Sequence, residues 1–566
     1  MKLLNWLLYF THRWIGLVLG LFMFFWFFSG LAIMYSNPIN TSRTQQLTHA
    51  EKLLPELGWL SLGEVWDRSA EQRQAAIAKR KAPKAEGADN TAKGDGKKAE
   101  DKTLTIVDAR LVRSANEPLW LVEDSRGHRF SLAARDGSLH ETTVDQALKI
   151  ADKWYATDHK NTSAQSSFVE KIVSTVMLRN NDALSPFHKI AVGSQGDELL
   201  ISSVTGEVLH ASSKVDRAFF WAGNWLHLFK PLESLGLGEI RRDVQLWLGF
   251  FATFATLTGL IVGWIRWRPG FSGKPTYSQG RTQPYREFWF KWHFWTGLVG
   301  GSFALFWAFS GFMDTNPGKI FSQTTPTRAE LLRYQGGDLP PHFLDWRPVL
   351  PIELSMLPEE AVVVELSWKH LGNENVLLAN TRDGKRLPQT LDGVESTFSN
   401  ASLLAAAERL VANAPVKSQT FLTEYDSYYY PRHHQGLVEK PLPVVLVELN
   451  DKAETRIYLD PQDGKLINKV DSSARVFRWI YSALHHWDFG WLYHRPIWDV
   501  WMLFWISFGL FLGGSSVIMG WRLLKKKLFP KKRVATPENS SYDQPSPVKA
   551  EPDVGTELDP DVVVPG

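Results

Sequence analysis

Apolar residues run almost unbroken through four stretches of the chain, about Trp14–Tyr35, Val244–Trp264, Phe294–Met313 and Val500–Trp521. Each meets the length of roughly 20 residues that a helix needs to cross a bilayer core. Elsewhere the pattern shortens to alternation of apolar and polar positions, as in "LWLVEDSRGHRFSLAARDGSL", "ELLISSVTGEVLH", "NVLLANTRDGKRL" and "TRIYLDPQDGKLINKV". That alternation, broken at Asp136-Gly137, Thr205-Gly206, Asp383-Gly384 and Asp463-Gly464, predicts antiparallel strand-turn-strand elements. Helical spacing in "TTVDQALKIADKWY" and "NASLLAAAERLVANA" places helices between them. The expected fold class is an α+β integral membrane protein with four transmembrane helices.

The apolar stretches are not independent. "HRWIGLVLGLFMFFWFFSG" from His12 and "HFWTGLVGGSFALFWAFSG" from His293 agree at twelve of nineteen positions without a gap. "RAFFWAGNWLHLF" before the second stretch and "RVFRWIYSALHHW" before the fourth share R-x-F-x-W-x4-L-H. The helices are therefore expected to be a duplicated two-helix unit, each half carrying an external α+β domain. Two halves of equal topology imply a pseudo-twofold axis along the membrane normal. His12 and His293 then lie at one depth, and His227 and His485 at another.

The expected division follows these patterns. Residues 1–36, 244–267, 288–314 and 499–524 are transmembrane helices, and 217–243 and 475–498 are amphipathic juxtamembrane segments. Residues 37–216 and 315–474 are external domains, 268–287 a cytoplasmic loop and 525–566 a disordered cytoplasmic tail. The charged, low-complexity stretch at 69–102 is expected to be a disordered insert.

Charge sets the orientation. The loop Arg266–Glu287 holds five Lys/Arg against one acid, and Arg522, Lys525, Lys526, Lys527, Lys531, Lys532 and Arg533 follow the last apolar stretch. The positive-inside rule makes both cytoplasmic and the large domains periplasmic in a bacterial inner membrane. The first apolar stretch is too long for a signal peptide and lacks a small-x-small cleavage site, so a retained anchor is expected. The chain has no cysteine, which excludes disulfides, cysteine-ligated iron–sulfur clusters and covalently attached haem.

Histidine is left as the strong transition-metal ligand. His12, Gly16 and Gly20 are spaced i, i+4, i+8, and so are His293, Gly297 and Gly301, which puts each set on one helix face. A histidine beside a side-chain-free strip suits a porphyrin edge, and two such helices deliver two axial imidazoles; Gly-xxx-Gly is equally a helix-packing motif. Two non-covalent haem b groups are expected, one on His12/His293 and one on His227/His485, with His486 an alternative outer ligand. Arg13 and Lys291 are candidates to pair with the inner propionates. The stretch "EYDSYYYPRHHQ" is either a strand with an aromatic face or the lining of a site for a bulky, oxygen-rich ligand, through Tyr428, Tyr429, Arg432, His433 and His434. No P-loop or Ser-His-Asp arrangement stands out, and a loop of about twenty residues cannot house a flavin or nicotinamide domain. The electron donor is then a quinol or a separate reductase, and no nucleic-acid partner is expected.

With "HRWIGLVLGL...FSG", "YLDPQDGKLI", "DSYYYPRHH" and "RWIYSALHHWDFGWLYHRPIWDVWML...GWRLL" in hand, the chain resembles the PepSY-associated transmembrane family of iron-regulated membrane proteins. The resemblance implies an inner-membrane protein with periplasmic PepSY-like domains and, as in the better understood members, a b-type dihaem reductase of ferric siderophores. It implies haem ligation at His12, His293, His227 and His485. Relatives have a single histidine after "AL", so "HHWDF" leaves His485 and His486 both open. The expected function is electron transfer across the membrane to a ferric siderophore or other Fe(III) chelate. The alternative is a non-enzymatic, membrane-tethered PepSY sensor or inhibitor that binds a periplasmic protease, peptide or envelope component. A permease subunit is disfavoured by the absence of midplane charges and broken helices.

Overall fold

The computed structural model describes residues 2–81, 105–158, 165–178, 181–348, 361–412, 414–431, 438–492 and 494–528. Among the described residues four helices are long and apolar enough to cross a membrane: Lys2–Met34, Arg241–Arg266, Phe288–Asp314 and Ile497–Leu528. Leu21, Trp247, Phe254, Val299, Leu503 and Phe504 point outward from them, a surface suited to lipid contact rather than water. Small residues face inward instead, among them Ser29, Ser310 and Ser515, each fully buried. The first helix begins ten residues before His12, because Leu3, Leu4, Trp6 and Leu7 extend its apolar run. At 1.5 Å per residue His12 lies about 15 Å inside the helix, not at its mouth. The chain divides into two units after Gly520, and the described part of the second is the helical run Trp521–Leu528.

Outside the helices the expected two-domain division needs correction. Strands β1 (Ile106–Ser114), β2 (Glu117–Asp124), β3 (Arg129–Ala133) and β4 (Leu139–His140) precede the third long helix. Strands β9 (Val363–Leu371), β10 (Glu374–Thr381) and β11 (Arg386–Gln389) follow it. All seven form one sheet, in the order β11-β10-β9-β1-β2-β3-β4, in which β1 pairs antiparallel with β9 through Leu111 and Leu366. The regions 37–216 and 315–474 therefore share a sheet and a core, where Trp120 and Trp368 meet at 4.8 Å. Non-local pairing of this kind leaves no trace in local periodicity. Buried charge ties the same seam: Glu365 of β9 accepts hydrogen bonds from Arg43, Arg110 and Asn380.

Each region also has a four-stranded antiparallel sheet of its own. One comprises β5 (Ser166–Ile172), β6 (Phe187–Val192), β7 (Asp197–Ser202) and β8 (Val208–Ser212). The other comprises β12 (Val416–Leu422), β13 (Val444–Leu449), β14 (Arg456–Leu459) and β15 (Leu466–Val470). Helices Val144–Asp158 and Asn400–Leu410 cover them, burying Ala147, Ala151 and Trp154 in the first case and Leu403, Ala406 and Leu410 in the second. All four turn glycines read from the alternation have positive φ, from 62° at Gly464 to 83° at Gly384, the region where a Cβ is strained.

Two further expectations are corrected. The segment 69–102 is not wholly irregular, because Ala70–Lys81 is a helix. Its Arg73 is 4% exposed, lies over the Trp66 ring at 3.1 Å and donates to Ser69 Oγ and Trp66 O. A Lys/Ala-rich composition concealed one buried cation–π anchor. Residues 82–104 and the tail beyond 528 lie outside the described residues. The tyrosine-rich stretch is a series of bends rather than a strand, and Tyr429 is a core residue, stacked on Tyr458 at 5.1 Å with its hydroxyl donated to Pro441 O.

Candidate functional site

The outer histidines are delivered by two segments built alike. Ser213 caps the helix Lys214–Phe220 reciprocally with Asp216, and Asp471 caps Ser472–Phe477 through Ala474 N. Each helix passes into a π-turn, at Trp221–Trp225 and at Arg478–Ala483. Such a turn accommodates an extra residue and re-aims the side chains after it. His227 and His485 follow, and two residues later Phe229 and Trp487 take left-handed φ values of 54° and 52°. These conformations are costly for bulky residues. Both rings are anchored by contacts, Phe229 to Phe22 at 5.6 Å and Trp487 to Phe303 at 4.8 Å. The chain thus reverses immediately beyond each histidine, and the two imidazoles face each other with centroids 6.2 Å apart and planes at 71°.

Each outer ring rests on a long helix at Ser-Gly. His227 Nδ1 is 3.0 Å from Ser29 Oγ, and His485 Nδ1 is 2.9 Å from Ser310 Oγ. A Cβ added at Gly30 would sit 3.6 Å from His227 Cε1, and one at Gly311 3.5 Å from His485 Cε1. The repeated Phe-Ser-Gly therefore provides a hydroxyl for Nδ1 and a flat surface for the ring edge.

The inner pair, His12 and His293, has centroids 6.5 Å apart and planes at 43°. His12 Nδ1 donates to Ala255 O at 3.0 Å, and His293 Nδ1 is 2.8 Å from Ser515 Oγ. His12 lies flat on Gly259, where a Cβ would come within 2.6 Å of Cε1. The histidine-side glycines divide in two. A Cβ at Gly16 meets nothing within 4 Å, and one at Gly297 only Leu512 Cδ2 at 3.4 Å. Gly20 is closed by Ser516 Cβ at 2.8 Å and Gly301 by Leu260 Cδ2 at 2.7 Å, so both sit in helix–helix contacts instead of along an open strip. Arg13 and Lys291 are exposed, beside Trp14 and Trp292.

Both ring separations are of the size at which two imidazoles share one metal ion. Metal–imidazole bonds of about 2.0 Å, plus about 1.1 Å from each nitrogen to its ring centre, place centroids about 6.2 Å apart. All four rings use Nδ1 for protein hydrogen bonds, which is how a second shell orients a ligating histidine. Among the described residues no cluster of three or more His, Cys, Asp or Glu stands ready for a bare ion. Two axial ligands suffice when a macrocycle supplies the rest.

The remaining candidates separate clearly. His485, not His486, faces His227; the His486 ring sits against Tyr481 at 5.1 Å while its carbonyl accepts from Trp498 Nε1. Tyr428 hydrogen-bonds Trp479 Nε1, and Tyr429 is buried, which removes it as a ligand-lining residue. Arg432, His433 and His434 lie outside the described residues. The tyrosine-rich loop is instead fastened to the outer histidine segment: Tyr430 donates to Asp488, and Arg478 donates to Ser427 O and Asp488 O. Sequence reading missed Ser29, Ser310, Ser515 and Gly259. The first two were visible as the repeated Phe-Ser-Gly, whereas Ser515 and Gly259 stand in apolar helices with nothing to single them out.

The family model of the PepSY-associated TM region matches residues 10–348, more than half of the 566-residue chain. The chain belongs to the PepSY-associated TM region family. None of the curated proteins matches it. The family match includes His12, His227 and His293 and ends before His485 and the fourth long helix. Membership and the four apolar helices make this a multi-pass membrane protein.

Proposed function

We propose that this PepSY-associated TM protein is an inner-membrane b-type haem protein that passes electrons across the membrane to reduce a periplasmic ferric chelate, as in ferric-siderophore reduction for iron acquisition. One observation carries the reading: two pairs of imidazoles lie with ring centres 6.5 and 6.2 Å apart, every Nδ1 already engaged, close to the roughly 6.2 Å at which two imidazoles would hold one metal ion. His12 and His293 would hold the inner haem and His227 and His485 the outer one. Gly16 and Gly297 leave room beside the inner pair, and Arg13 and Lys291 stand ready for propionates. Haem supplies one-electron redox chemistry when bound; the chain supplies ligation, burial and orientation.

The wider arrangement supports the same reading. The helix-pair repeat and the matched π-turns fit a duplicated two-helix unit, and positive charge in Arg266–Glu287 fits a cytoplasmic loop with periplasmic domains opposite. Fe(III) is the harder ion and favours oxygen chelation, so reduction weakens its hold in an oxygen-rich chelate and releases it. Electrons come from a quinol or a separate reductase.

The test is an absorption spectrum of protein purified after haem-replete expression. A Soret band, a reduced α-band, two haems per chain and oxidation of the reduced protein by a ferric chelate are expected. Protein without a Soret band ends this reading and leaves the tethered PepSY sensor in its place.

A further inference from the structure

The four paired histidines differ from ordinary buried imidazoles in what their Nδ1 atoms meet. Ser29 Oγ donates to Trp26 O at 3.0 Å, Ser310 Oγ to Trp307 O at 3.2 Å and Ser515 Oγ to Leu512 O at 3.0 Å. A hydroxyl has one proton, and in each case the carbonyl three residues earlier on the same helix is within reach to take it. The oxygen can then only accept, so the imidazole nitrogen beside it must bring the proton. For His12 the partner is the Ala255 carbonyl, an acceptor by nature. With the serine protons on those carbonyls, three serines and one backbone carbonyl all present an acceptor to Nδ1.

We infer that Ser29, Ser310 and Ser515 are positioning residues that lock His227, His485 and His293 in the Nδ1–H tautomer, so that each of these rings keeps its lone pair on Nε2. The reverse tautomer would set an Nε2–H donor in apolar surroundings, where unpaired polar groups are expensive. Locking matters because a neutral imidazole ligates through the nitrogen without the proton, and a ring already in that form is not reorganised on binding. The consequence for ligation rests on the haem reading given above; the tautomers do not, and they are measurable without any bound group.

Ser515 is the cleanest site to perturb. It is fully buried, it is the partner of His293 Nδ1, and Thr258 stands five residues before Gly263 as Ser515 stands five before Gly520. A threonine is thus accepted at the matching place in the second long helix, where its hydroxyl likewise donates to a preceding carbonyl.

The experiment uses full-length, haem-free protein with 15N-labelled histidine in lipid bilayers, the His293 signals being assigned by their loss in His293→Gln. Wild type should show protonated Nδ1 and lone-pair Nε2 resonances. Ser515→Ala should give mixed His293 tautomers and about 10–100-fold weaker hemin binding. Ser515→Thr should restore both. Mixed tautomers in wild type, or a Ser515→Ala protein unchanged in tautomer and hemin affinity, would overturn the inference. Locked tautomers in a protein that takes up no hemin would uphold the serine role and defeat the haem proposal alone.

Discussion

Gly259→Ala puts the inner pair to a sharp test, because the glycine is the surface on which His12 lies. The new methyl would start 2.6 Å from His12 Cε1 and 3.2 Å from Nδ1. Ordinary carbon–carbon contact lies at about 3.5–4.0 Å, so the ring must retreat by about 1 Å. A metal–nitrogen bond near 2.0 Å tolerates deviations of about 0.2 Å, one fifth of that retreat. On the proposed haem reading the inner pair should therefore lose its haem while the outer pair, about 26 Å away along the first long helix from His12 to Ser29, keeps its own. Helix weakening cannot account for the loss, since Gly→Ala in a helix interior is favourable by up to about 1 kcal/mol. The measurement is haem per chain from a haemochrome assay on monodisperse protein, falling from two to one. Gly16→Ala, whose methyl meets nothing within 4 Å, and Gly30→Ala, at 3.6 Å from His227 Cε1, should both retain two. A Gly259→Ala protein that retains two haems with an unchanged spectrum would refute the assignment of His12.

Three further outcomes follow from the same geometry. His485→Ala should remove about half of the haem and His486→Ala none, because only His485 faces His227; equal losses would show that the adjacent histidines exchange. Glu365→Gln should cost roughly 1–3 kcal/mol, since it takes the carboxylate from Arg43 and one of the two carboxylates from Arg110, which keeps Glu207, and thermal unfolding of the extramembrane part should move down accordingly. His210 is buried on β8, its Nε2 2.7 Å from Ser212 Oγ. Burial, with Arg217 and Lys189 nearby and only Asp216 opposing them, lowers its pKa to about 4. Its neutral form belongs to the fold, so the unfolded chain binds the extra proton as pH falls. Stability should be intact above about pH 6.5 and decline by about 3 kcal/mol toward pH 4, read as lost hydrogen-exchange protection in Val208–Ser212. A flat profile over that window, or the same decline in His210→Asn, would remove the assignment.

The parts of this molecule that were readable in advance are those written locally or written twice. Four long apolar runs announce four helices because no other element needs twenty such residues. The histidine pairs were readable because two in-register copies place them at matched depths. Equal spacing misled at the glycines: Gly16 and Gly20 look alike in sequence, but one faces open space and the other meets a helix, a difference set by the neighbours. The β1–β9 pairing joins residues more than 250 positions apart and has no local signature. Tyr429 shows the same limit, since an aromatic cluster reads alike whether it lines a site or fills a core. The choice between His485 and His486 turned on a π-turn, which neighbouring residue types do not specify.

The supporting hydrogen bonds and the facing pairs divide the molecule in opposite ways. His12 is held by Ala255 and His227 by Ser29, all within residues 2–266. His293 is held by Ser515 and His485 by Ser310, all within residues 288–520. Every support therefore stays within its own half, and both facing pairs cross between the halves. Ring orientation is then a property of each half alone, whereas ring separation depends on how the halves meet, along the second and third long helices and across β1 and β9. A group gripping both rings of a pair would join the halves inside the membrane as the seven-stranded sheet joins them outside. Loading should consequently stabilise the assembled protein, by about 2.7 kcal/mol for ligand at one hundred times its dissociation constant. Because the outer pair rests on the same two long helices about 26 Å from the inner pair, filling either one restrains separation at only one end. Single-site variants such as His12→Ala should therefore gain less thermal stability from hemin than wild type does. Equal gains would mean that the halves are held together without help from the histidine pairs.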